Sequence, residues 1–365
     1  MNGIIFTFLS AIFGLTIVRF TIPPLIRVVN AKKLFEPNDT RKVHTSVVPT
    51  IGGVSVYIGF ALASFLASDG YSLSEVKYLY PAVLLMFFLG LKDDLLSLSP
   101  RKKIMVMIAT ALMLTTIGDF RLHSFYGVFG IWQVDYVTGA LVSALLIVGF
   151  INAFNFIDGI DGLASGVAII ISSTFGICFL LMERFDLSIV SFALAGSLIM
   201  FFRYNVLGTE YKLFMGDTGS LVIGTILAAL MFKFVEHAPA SGIPLLSDSA
   251  AAFAFGLMIV PVTDLTRIFF IRLLHKKSPF KPDRNHIHHK LLRTFPNHLT
   301  VTLIICGVNL LFIVLTLFLI TTGMNINYTM ALTLLAGHLT AYLPFVVARS
   351  IRKHVHIKWL KTYPD

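Results

Sequence analysis

The residues best suited to chemistry are aspartates at the edges of long apolar runs. Asp93 and Asp94 follow one such run, and Asp217 precedes another. Asp158 and Asp161 lie between two further runs, three residues apart, so a helix would put both on one face. Like charges about 4 Å apart repel by roughly 4 kcal/mol at an effective dielectric of 20, so a cluster of these carboxylates needs protons or a cation. Oxygen ligands without Cys suit Mg²⁺, with Mn²⁺ as the alternative.

Simpler interpretations exist for each acidic group. The first pair could be a solvated helix end, and Asp217 could belong to an N-cap and turn that open a helix. The segment around Asp158 is harder to explain in this way, because Asn155 and other polar side chains alternate there with Phe and Gly. Asp264 lies inside an apolar run and is interpreted as a satisfied polar group paired with Arg267, without a catalytic role.

A basic segment over 272–298 supplies the opposite charge. It contains Arg284 followed by His286, His288 and His289. Basic residues after an apolar run are ordinarily topology markers, but that does not explain the clustered histidines. A zinc site is the alternative, although three His without Cys at this spacing rarely complete a tetrahedral shell. Contact with a phosphate or a sugar is more natural beside so many cationic side chains.

An earlier basic loop contains Lys42 and His44 and leads to the Gly52–Gly53 pair at the start of an apolar run. Its cationic residues could mark topology alone, and the glycine pair favours close helix packing. Together, the acidic and basic groups predict metal-binding carboxylates facing cationic and imidazole donors at one membrane surface. Such a layout fits a phosphate-bearing substrate and a membrane-bound acceptor.

The composition determines what must position these residues. Of 365 residues, 56% are hydrophobic and only 13% are charged, about half the usual charged share of roughly 25%. This excludes an ordinary soluble protein and a disordered chain, and two Cys in apolar runs exclude a disulfide scaffold. We therefore expect an all-α, polytopic integral membrane protein. The net charge of +10 is attributed to the positive-inside rule and not to a nucleic-acid partner.

Eleven apolar runs come close to the roughly 20 residues that a spanning helix needs. They cover residues 3–22, 50–68, 78–92, 103–118, 137–152, 163–182, 188–203, 219–235, 250–271, 299–321 and 328–348.

The basic residues predict the orientation. All but four of the 29 Lys and Arg fall in alternate loops or the adjoining run ends. By the positive-inside rule those loops are cytoplasmic, with the N-terminus outside and the C-terminus inside. We expect one transmembrane catalytic domain over 1–365. Its cytoplasmic parts are the loops 23–49, 93–102, 153–162, 204–218 and 272–298 and the tail 349–365.

The chain resembles the polyprenyl-phosphate N-acetylhexosamine-1-phosphate transferases (glycosyltransferase family 4), most closely the branch that uses GlcNAc. The resemblance covers nearly the whole chain and rests on motifs in family order. These motifs are His44 with Pro49 and Gly52-Gly53, Asp93-Asp94, Asn155-Phe-Ile-Asp158-Gly-Ile-Asp161-Gly162, Phe214-Met-Gly-Asp217-Thr-Gly-Ser220, and Pro282-Asp-Arg284-Asn-His286-Ile-His288-His289.

The resemblance implies transfer of GlcNAc-1-phosphate from UDP-GlcNAc to undecaprenyl phosphate, giving undecaprenyl-diphospho-GlcNAc and UMP. It implies a Mg²⁺ enzyme in the bacterial inner membrane, with a cytoplasmic active site, that begins a cell-surface glycan such as lipopolysaccharide O-antigen. Other glycans can begin with the same lipid-linked sugar.

The resemblance also implies a role for each group. Asp217 and Asp94 would bind the metal. The catalytic carboxylates would be Asp93, Asp94, Asp158 and Asp161. The donor would be bound by Lys42, His44, Asn155, Arg284, His286, His288 and His289. The lipid phosphate would be held by Arg101, Lys102 or Lys103.

Two departures from the peptidoglycan-precursor members bear on the substrate. Ser97 stands where those members often have Lys, and Ile287 interrupts a run of three His. Both weigh against UDP-MurNAc-pentapeptide, whereas UDP-GalNAc stays open. Direct attack by the lipid phosphate on the β-phosphorus is favoured over an aspartyl-phosphate intermediate. An ion-coupled transporter is the remote alternative, but its charges would lie near mid-span.

Overall fold

The computed structural model describes residues 2–32, 48–68, 71–247, 249–276 and 286–354, with side chains as far as residue 342. The secondary structure of these residues is helical apart from turns and an isolated bridge between Ser124 and Gln133. The α-helices are α1 Asn2–Lys32, α2 Gly52–Leu66, α3 Leu79–Leu96, α4 Pro100–Thr116, α5 Tyr136–Ile157, α6 Leu163–Leu181, α7 Phe185–Leu207, α8 Gly216–His237, α9 Pro244–Ser247, α10 Ala250–Leu257, α11 Ile259–Leu274, α12 Ile287–Leu292, α13 His298–Thr321 and α14 Ile326–His354.

Several helices extend beyond their apolar runs into segments that were predicted to be loops. Helix α1 continues through Pro23 and Pro24 to Lys32, although a loop was predicted from residue 23. Both acidic residues of the first pair lie in the last turns of α3, and Asn155 lies in α5. The tail predicted from residue 349 is helical as far as His354. Hydropathy detects only the apolar stretch of a helix, whereas the backbone continues to form helical hydrogen bonds beyond it.

Helix α8 is the centre of the molecule. It packs against α2, α3, α5 and α6, and its apolar stretch is fully buried in protein. On the outside of the bundle large apolar side chains remain open, such as Phe20, Leu145 and Leu311 at 70%, 73% and 69% exposure. An exterior of this kind suits contact with lipid chains and not with water.

The start of α8 is joined to the start of α2 by backbone contacts. The amide of Gly52 donates to the carbonyl of Phe214, and that of Gly53 to Met215, both at 2.9 Å. A Cβ on Gly53 would lie only 2.1 Å from the amide nitrogen of Gly219. The glycine pair therefore allows α2 and α8 to touch through their backbones, as close packing between membrane helices requires.

Six described helices are long and apolar enough to cross a membrane: α1, α5, α6, α7, α8 and α13. The pair α10 and α11, bent by 72°, would be a seventh if it forms one span. Each of the eleven predicted runs overlaps a helix, and the chain is an all-helical, polytopic membrane protein. The number of eleven spans and the orientation of the termini stay predictions.

Candidate active site

The carboxylates predicted from the sequence meet at one end of the bundle, where α3 and α5 end and α4 and α8 begin. Lys103 of α4 binds two of them, with its Nζ atom 2.7 Å from Asp93 Oδ2 and 2.6 Å from Asp217 Oδ2. The second of these contacts spans 114 positions of sequence, so the fold and not local geometry creates it. One ammonium group thus neutralises part of the charge of two neighbouring carboxylates.

Asn155 contacts the same carboxylate from the last turns of α5. Its Nδ2 donates to Asp217 Oδ1 at 2.5 Å and to Ser220 Oγ at 2.9 Å. Both oxygens of Asp217 therefore have partners, one from α4 and one from α5. The side chain is fixed at the N-terminal end of α8, where the helix dipole favours negative charge.

Asp94 holds the first turn of α8. Its Oδ1 accepts from the amide of Asp217 at 2.8 Å, and its Oδ2 accepts from the amide and the hydroxyl of Thr218 at 2.9 and 2.5 Å. The two amides are orphan donors of a helix start, satisfied here by a side chain from another helix. A carboxylate offers about four lone-pair positions, so three accepted hydrogen bonds leave roughly one for a cation.

Asp158 and Asp161 lie in the turn between α5 and α6 and differ in their surroundings. Burial, assisted by the carboxylates of Asp217, Asp94 and Asp161, raises the pKa of Asp158 well above its usual value. Burial also opposes ionisation of Asp161, but hydrogen bonds and electrostatic interactions with His298 and Lys212 outweigh it and lower its pKa. The two carboxylates are therefore suited to different protonation states.

The partners of Asp161 come from two other parts of the chain. Lys212 Nζ lies 2.7 Å from its Oδ2, and His298 Nδ1 lies 3.4 Å from the same oxygen. The hydroxyl of Thr302 donates to the Asp161 carbonyl at 2.8 Å. Asn205 secures the next part of the turn by accepting from the amide of Gly162 at 2.6 Å. The turn is thus held by α7, α13 and the segment before α8.

The histidine segment packs against the same turn. A Cβ on Gly159 would lie 2.1 Å from Nε2 of His288, so only glycine permits this approach. Burial, and after it the charge of His289, lowers the pKa of His288 to about 3, so its ring is neutral at pH 7. The ring of His286 lies 5.5 Å from Phe156 and stacks on His288 at 5.7 Å between centroids.

Asp264 lies behind this segment on α11. Its Oδ1 is 3.2 Å from Arg267, which confirms the predicted pairing. Its Oδ2 is 2.7 Å from Nδ1 of His286, and Oδ1 also accepts from the amide of Ile287 at 3.0 Å. These additional contacts, which were not predicted, connect an intramembrane carboxylate to the histidine segment.

The predicted site residues fall into three groups. The structure brings together Asp93, Asp94, Lys103, Asn155, Asp158, Asp161, Asp217, His286, His288 and His289 at this end of the bundle. Arg101 and Lys102 are exposed at the start of α4, and neither takes the bridging position of Lys103. Lys42, His44 and Arg284 lie outside the described residues.

The sequence reasoning missed several residues of the site. Lys212 and His298 pair with Asp161, and Asn205 secures the turn. Lys212 precedes the Phe214 motif by two positions and could have been noticed there. His298 and Asn205 lie beside apolar runs and outside the motifs, so no local pattern identifies them. Asp264 was singled out in the sequence, but its contact with His286 was not predicted.

The donor set at this site fits a divalent cation. It offers oxygen ligands from carboxylates that already share a single ammonium group, which is the chemistry of a Mg²⁺ or Mn²⁺ site. Among the described residues, one group of three acidic or histidine side chains has its possible metal-ligand atoms within 4.8 Å of one another. That group lies away from the site and consists of Asp119, His123 and Glu236. There Asp119 pairs with Arg121 at 2.9 Å and Glu236 with Lys233 at 2.8 Å, so nearby cations already balance both carboxylates.

The family model that describes glycosyl transferase family 4 matches residues 76–235. This range includes all five aspartates of the site and ends before the histidine segment. The chain belongs to glycosyl transferase family 4.

Its relatives carry more specific names. The chain is 30% identical over 268 residues to an undecaprenyl-phosphate alpha-N-acetylglucosaminyl 1-phosphate transferase of Escherichia coli strain K12, over 72% of this chain and 71% of the relative. A transferase of the same name from Salmonella typhimurium is also 30% identical, over 71% of this chain and 69% of the relative. A probable undecaprenyl-phosphate N-acetylglucosaminyl 1-phosphate transferase of Bacillus subtilis is 29% identical over 80% of this chain and 79% of the relative.

Proposed function

We propose that this protein transfers GlcNAc-1-phosphate from UDP-GlcNAc to undecaprenyl phosphate, releasing UMP. The observation that carries the proposal is the convergence of the aspartates with Lys103, Lys212 and the histidine segment at one end of a membrane-embedded bundle. Both substrates are phosphate-bearing, and one is lipid-bound, so the reaction needs cations and metal ligands at a membrane surface. Membership of the family and the names of the relatives support the same reaction.

The proposed chemistry is a direct in-line displacement. An oxygen of the lipid phosphate attacks the sugar-bearing phosphorus of the donor, the new P–O bond forms, and the bond to the UMP oxygen breaks. The lipid phosphate is largely dianionic at pH 7, since the second pKa of a phosphate ester is about 6. The protein therefore needs to position and neutralise the reacting groups more than to remove a proton.

The residues divide this work in the proposal. Asp217 and Asp94 would hold Mg²⁺, or Mn²⁺ in its place, and a metal bound there would neutralise the diphosphate of the donor. Asp93 pairs with Lys103, and this contact would position the ammonium group for the lipid phosphate. Asp158, with its raised pKa, and Asp161 face the donor from the α5–α6 turn.

The donor contacts are proposed for the remaining groups. Asn155 and the histidines 286, 288 and 289 lie around this turn, and Lys42, His44 and Arg284 are proposed to join them. Arg101 and Lys102 are candidates for the headgroup of the lipid, because they are exposed beside Lys103. The enzyme would act at the cytoplasmic face of a bacterial inner membrane, at the first step of a cell-surface glycan.

The test is a transfer assay with purified protein in lipid nanodiscs, UDP-GlcNAc, undecaprenyl phosphate and Mg²⁺. We expect undecaprenyl-diphospho-GlcNAc and UMP in equal amounts. Release of UDP would show transfer of the sugar without its phosphate and would contradict the proposal. Addition of excess EDTA should stop the reaction, and Mg²⁺ or Mn²⁺ should restore it.

A further inference from the structure

Among the residues that the structure describes, Asp264 is an acidic residue beside the site that the proposed chemistry does not use. It lies on α11, inside the bent α10–α11 pair, and is 2% exposed. A carboxylate at such a position is costly unless it is paired. Arg267 balances its charge at 3.2 Å, which would satisfy a purely structural group.

The remaining contacts of Asp264 go to the histidine segment. Its Oδ2 lies 2.7 Å from Nδ1 of His286, and its Oδ1 accepts from the amide of Ile287 at 3.0 Å. One carboxylate thus contacts the side chain of one residue and the backbone of the next. Two such contacts fix both the position of the segment and the orientation of the imidazole ring.

The contact also selects the tautomer of His286. An ionised carboxylate can only accept hydrogen bonds, so Nδ1 of the ring must carry a proton. Any contribution of His286 to a bound phosphate or sugar must then come from Nε2. A carboxylate behind a histidine is a general device for orienting the ring and defining which nitrogen faces the reactants.

The two histidines connect Asp264 to the Asp158–Gly162 turn. His286 stacks on His288 with an interplanar angle of 10°, and His288 lies against Gly159, beside Asp158. Nε2 of His288 is buried and has no hydrogen-bond partner among the described residues. A buried imidazole nitrogen without a partner is suited to form a hydrogen bond with a bound ligand.

We propose that Asp264 is a positioning residue that sets the His286–His289 segment against the Asp158–Gly162 turn, so that the imidazoles engage the sugar diphosphate of the donor. This inference rests on the proposed function and adds a residue and a mechanism to it. Asp264 touches no substrate in this role and acts through His286 and Ile287.

The test begins with the Asp264→Asn variant. The single oxygen of the Asn amide is expected to keep the contacts with the amide of Ile287 and with Arg267, so its NH₂ group faces Nδ1 of His286 and favours the other tautomer. We expect the KM for UDP-GlcNAc to rise about tenfold or more, because a charge-assisted hydrogen bond is lost. The KM for undecaprenyl phosphate should stay within about twofold, since that substrate does not use the segment.

A double-mutant cycle separates positioning from general damage. If Asp264 acts through His286, the double variant Asp264→Asn, His286→Ala should have a kcat/KM within about twofold of His286→Ala alone. The control is Asp186→Asn. This substitution removes a charge that pairs with Arg184 at 2.9 Å, far from the site, and it should leave both KM values unchanged.

The outcomes distinguish this inference from the proposed function. An unsubstituted protein that makes no lipid-linked GlcNAc contradicts the proposed function. If the unsubstituted protein is active, two results overturn only the role of Asp264. One is an unchanged KM for UDP-GlcNAc in Asp264→Asn. The other is a double variant in which the losses of kcat/KM from the two single substitutions multiply. If Asp264→Asn does not fold, Gly159→Ala displaces His288 instead, and an unchanged KM for UDP-GlcNAc in that variant overturns the inference equally.

Discussion

At the scale of single residues, Lys103 is the group that bridges two carboxylates of the site. Its ammonium lies between the carboxylates of Asp93 and Asp217, at 2.7 and 2.6 Å. Without it, two acidic side chains would face each other in a partly buried position. A divalent cation bound at Asp217 would compete for the same negative charge.

We therefore expect Lys103→Met to lower the free energy of unfolding in EDTA by about 2 kcal/mol. This is the usual contribution of a hydrogen bond between charged groups in a partly buried position. Mg²⁺ should raise the apparent Tm of this variant more than that of the unsubstituted protein. Thermal unfolding in nanodiscs measures both effects. Lys102→Met, one position earlier and exposed, is the control, and equal responses to Mg²⁺ in the two variants would contradict this role of Lys103.

Asp217 is the second residue with a direct test. Asp217→Asn keeps the size of the side chain and an oxygen that can accept from Asn155, but it removes the charge that would hold a hard cation. We expect transfer to fall at least about a hundredfold, which corresponds to about 2.7 kcal/mol in the barrier. The apparent Tm should change little. Asp119→Asn, at the other end of the bundle, serves as the control for loss of a carboxylate.

The sequence predicts the identity of these residues better than their individual partners. Aspartates at the edges of apolar runs are recognisable because charge is rare there, and the structure brings the five of them together. The partners Lys212, His298 and Asn205 depend on how distant helices pack, so no spacing in the sequence reveals them. Asp264 was interpreted as a satisfied polar group, and its pairing with Arg267 is confirmed, but the contact with His286 crosses 22 positions and could not be anticipated.

At the scale of elements, the site depends on how the first turn of α8 is held. Asp94 of α3 binds the amides of this turn, and the backbone of Pro49, Gly52 and Gly53 pairs with Phe214 and Met215. The close approach of Gly53 and Gly219 brings α2 against α8. The start of α8 is therefore held by backbone contacts between glycines and by hydrogen bonds from Asp94. The position of Asp217 follows from these contacts.

Substitution of Gly53 tests this packing. A Cβ there would lie 2.1 Å from the backbone of Gly219, which cannot move away as a flexible side chain could. We expect Gly53→Ala to destabilise the protein by about 1–3 kcal/mol through overpacking and to reduce transfer. The control is Gly149→Ala in α5, where nothing lies within 4 Å, and that variant should be neutral or slightly more stable. Similar unfolding of both variants would contradict the backbone contact.

The sequence predicts where helices occur but not where they end. Each of the eleven apolar runs overlaps a helix, whereas α1 extends past two prolines and α3 includes the acidic pair. Helix ends here are determined by partners from other helices, such as Asp94 for α8. The break between α10 and α11 also lies inside one predicted run, because apolar composition does not report a bend.

At the scale of the whole molecule, the arrangement requires all parts of the site to face one side of the membrane. The residues come from the ends of α3, α5 and α7 and the beginnings of α4, α6 and α8, which suits helices that alternate in direction. The Lys/Arg distribution predicts that this side is cytoplasmic.

Single-cysteine labelling tests this orientation. In a protein whose Cys178 and Cys306 are replaced by Ala, Ser97→Cys and Thr209→Cys should react with an impermeant maleimide only after the membrane is permeabilised. Gln133→Cys, at the opposite end, should react in intact cells. Reaction of Ser97→Cys in intact cells would place the acidic residues outside, where cytoplasmic UDP-sugars could not reach them.

The most direct measurement is a competition between donors at a single purified enzyme. Undecaprenyl phosphate and Mg²⁺ are supplied with equal amounts of UDP-GlcNAc, UDP-GalNAc and UDP-MurNAc-pentapeptide, and the lipid-linked products are identified by mass spectrometry. We expect undecaprenyl-diphospho-GlcNAc as the main product. A site that hydrogen-bonds each hydroxyl of its own sugar is left with unpaired buried polar groups when a different sugar binds. The Asp217→Asn variant should give at least about a hundredfold less of this product. Product from UDP-MurNAc-pentapeptide without product from UDP-GlcNAc would contradict the proposed function.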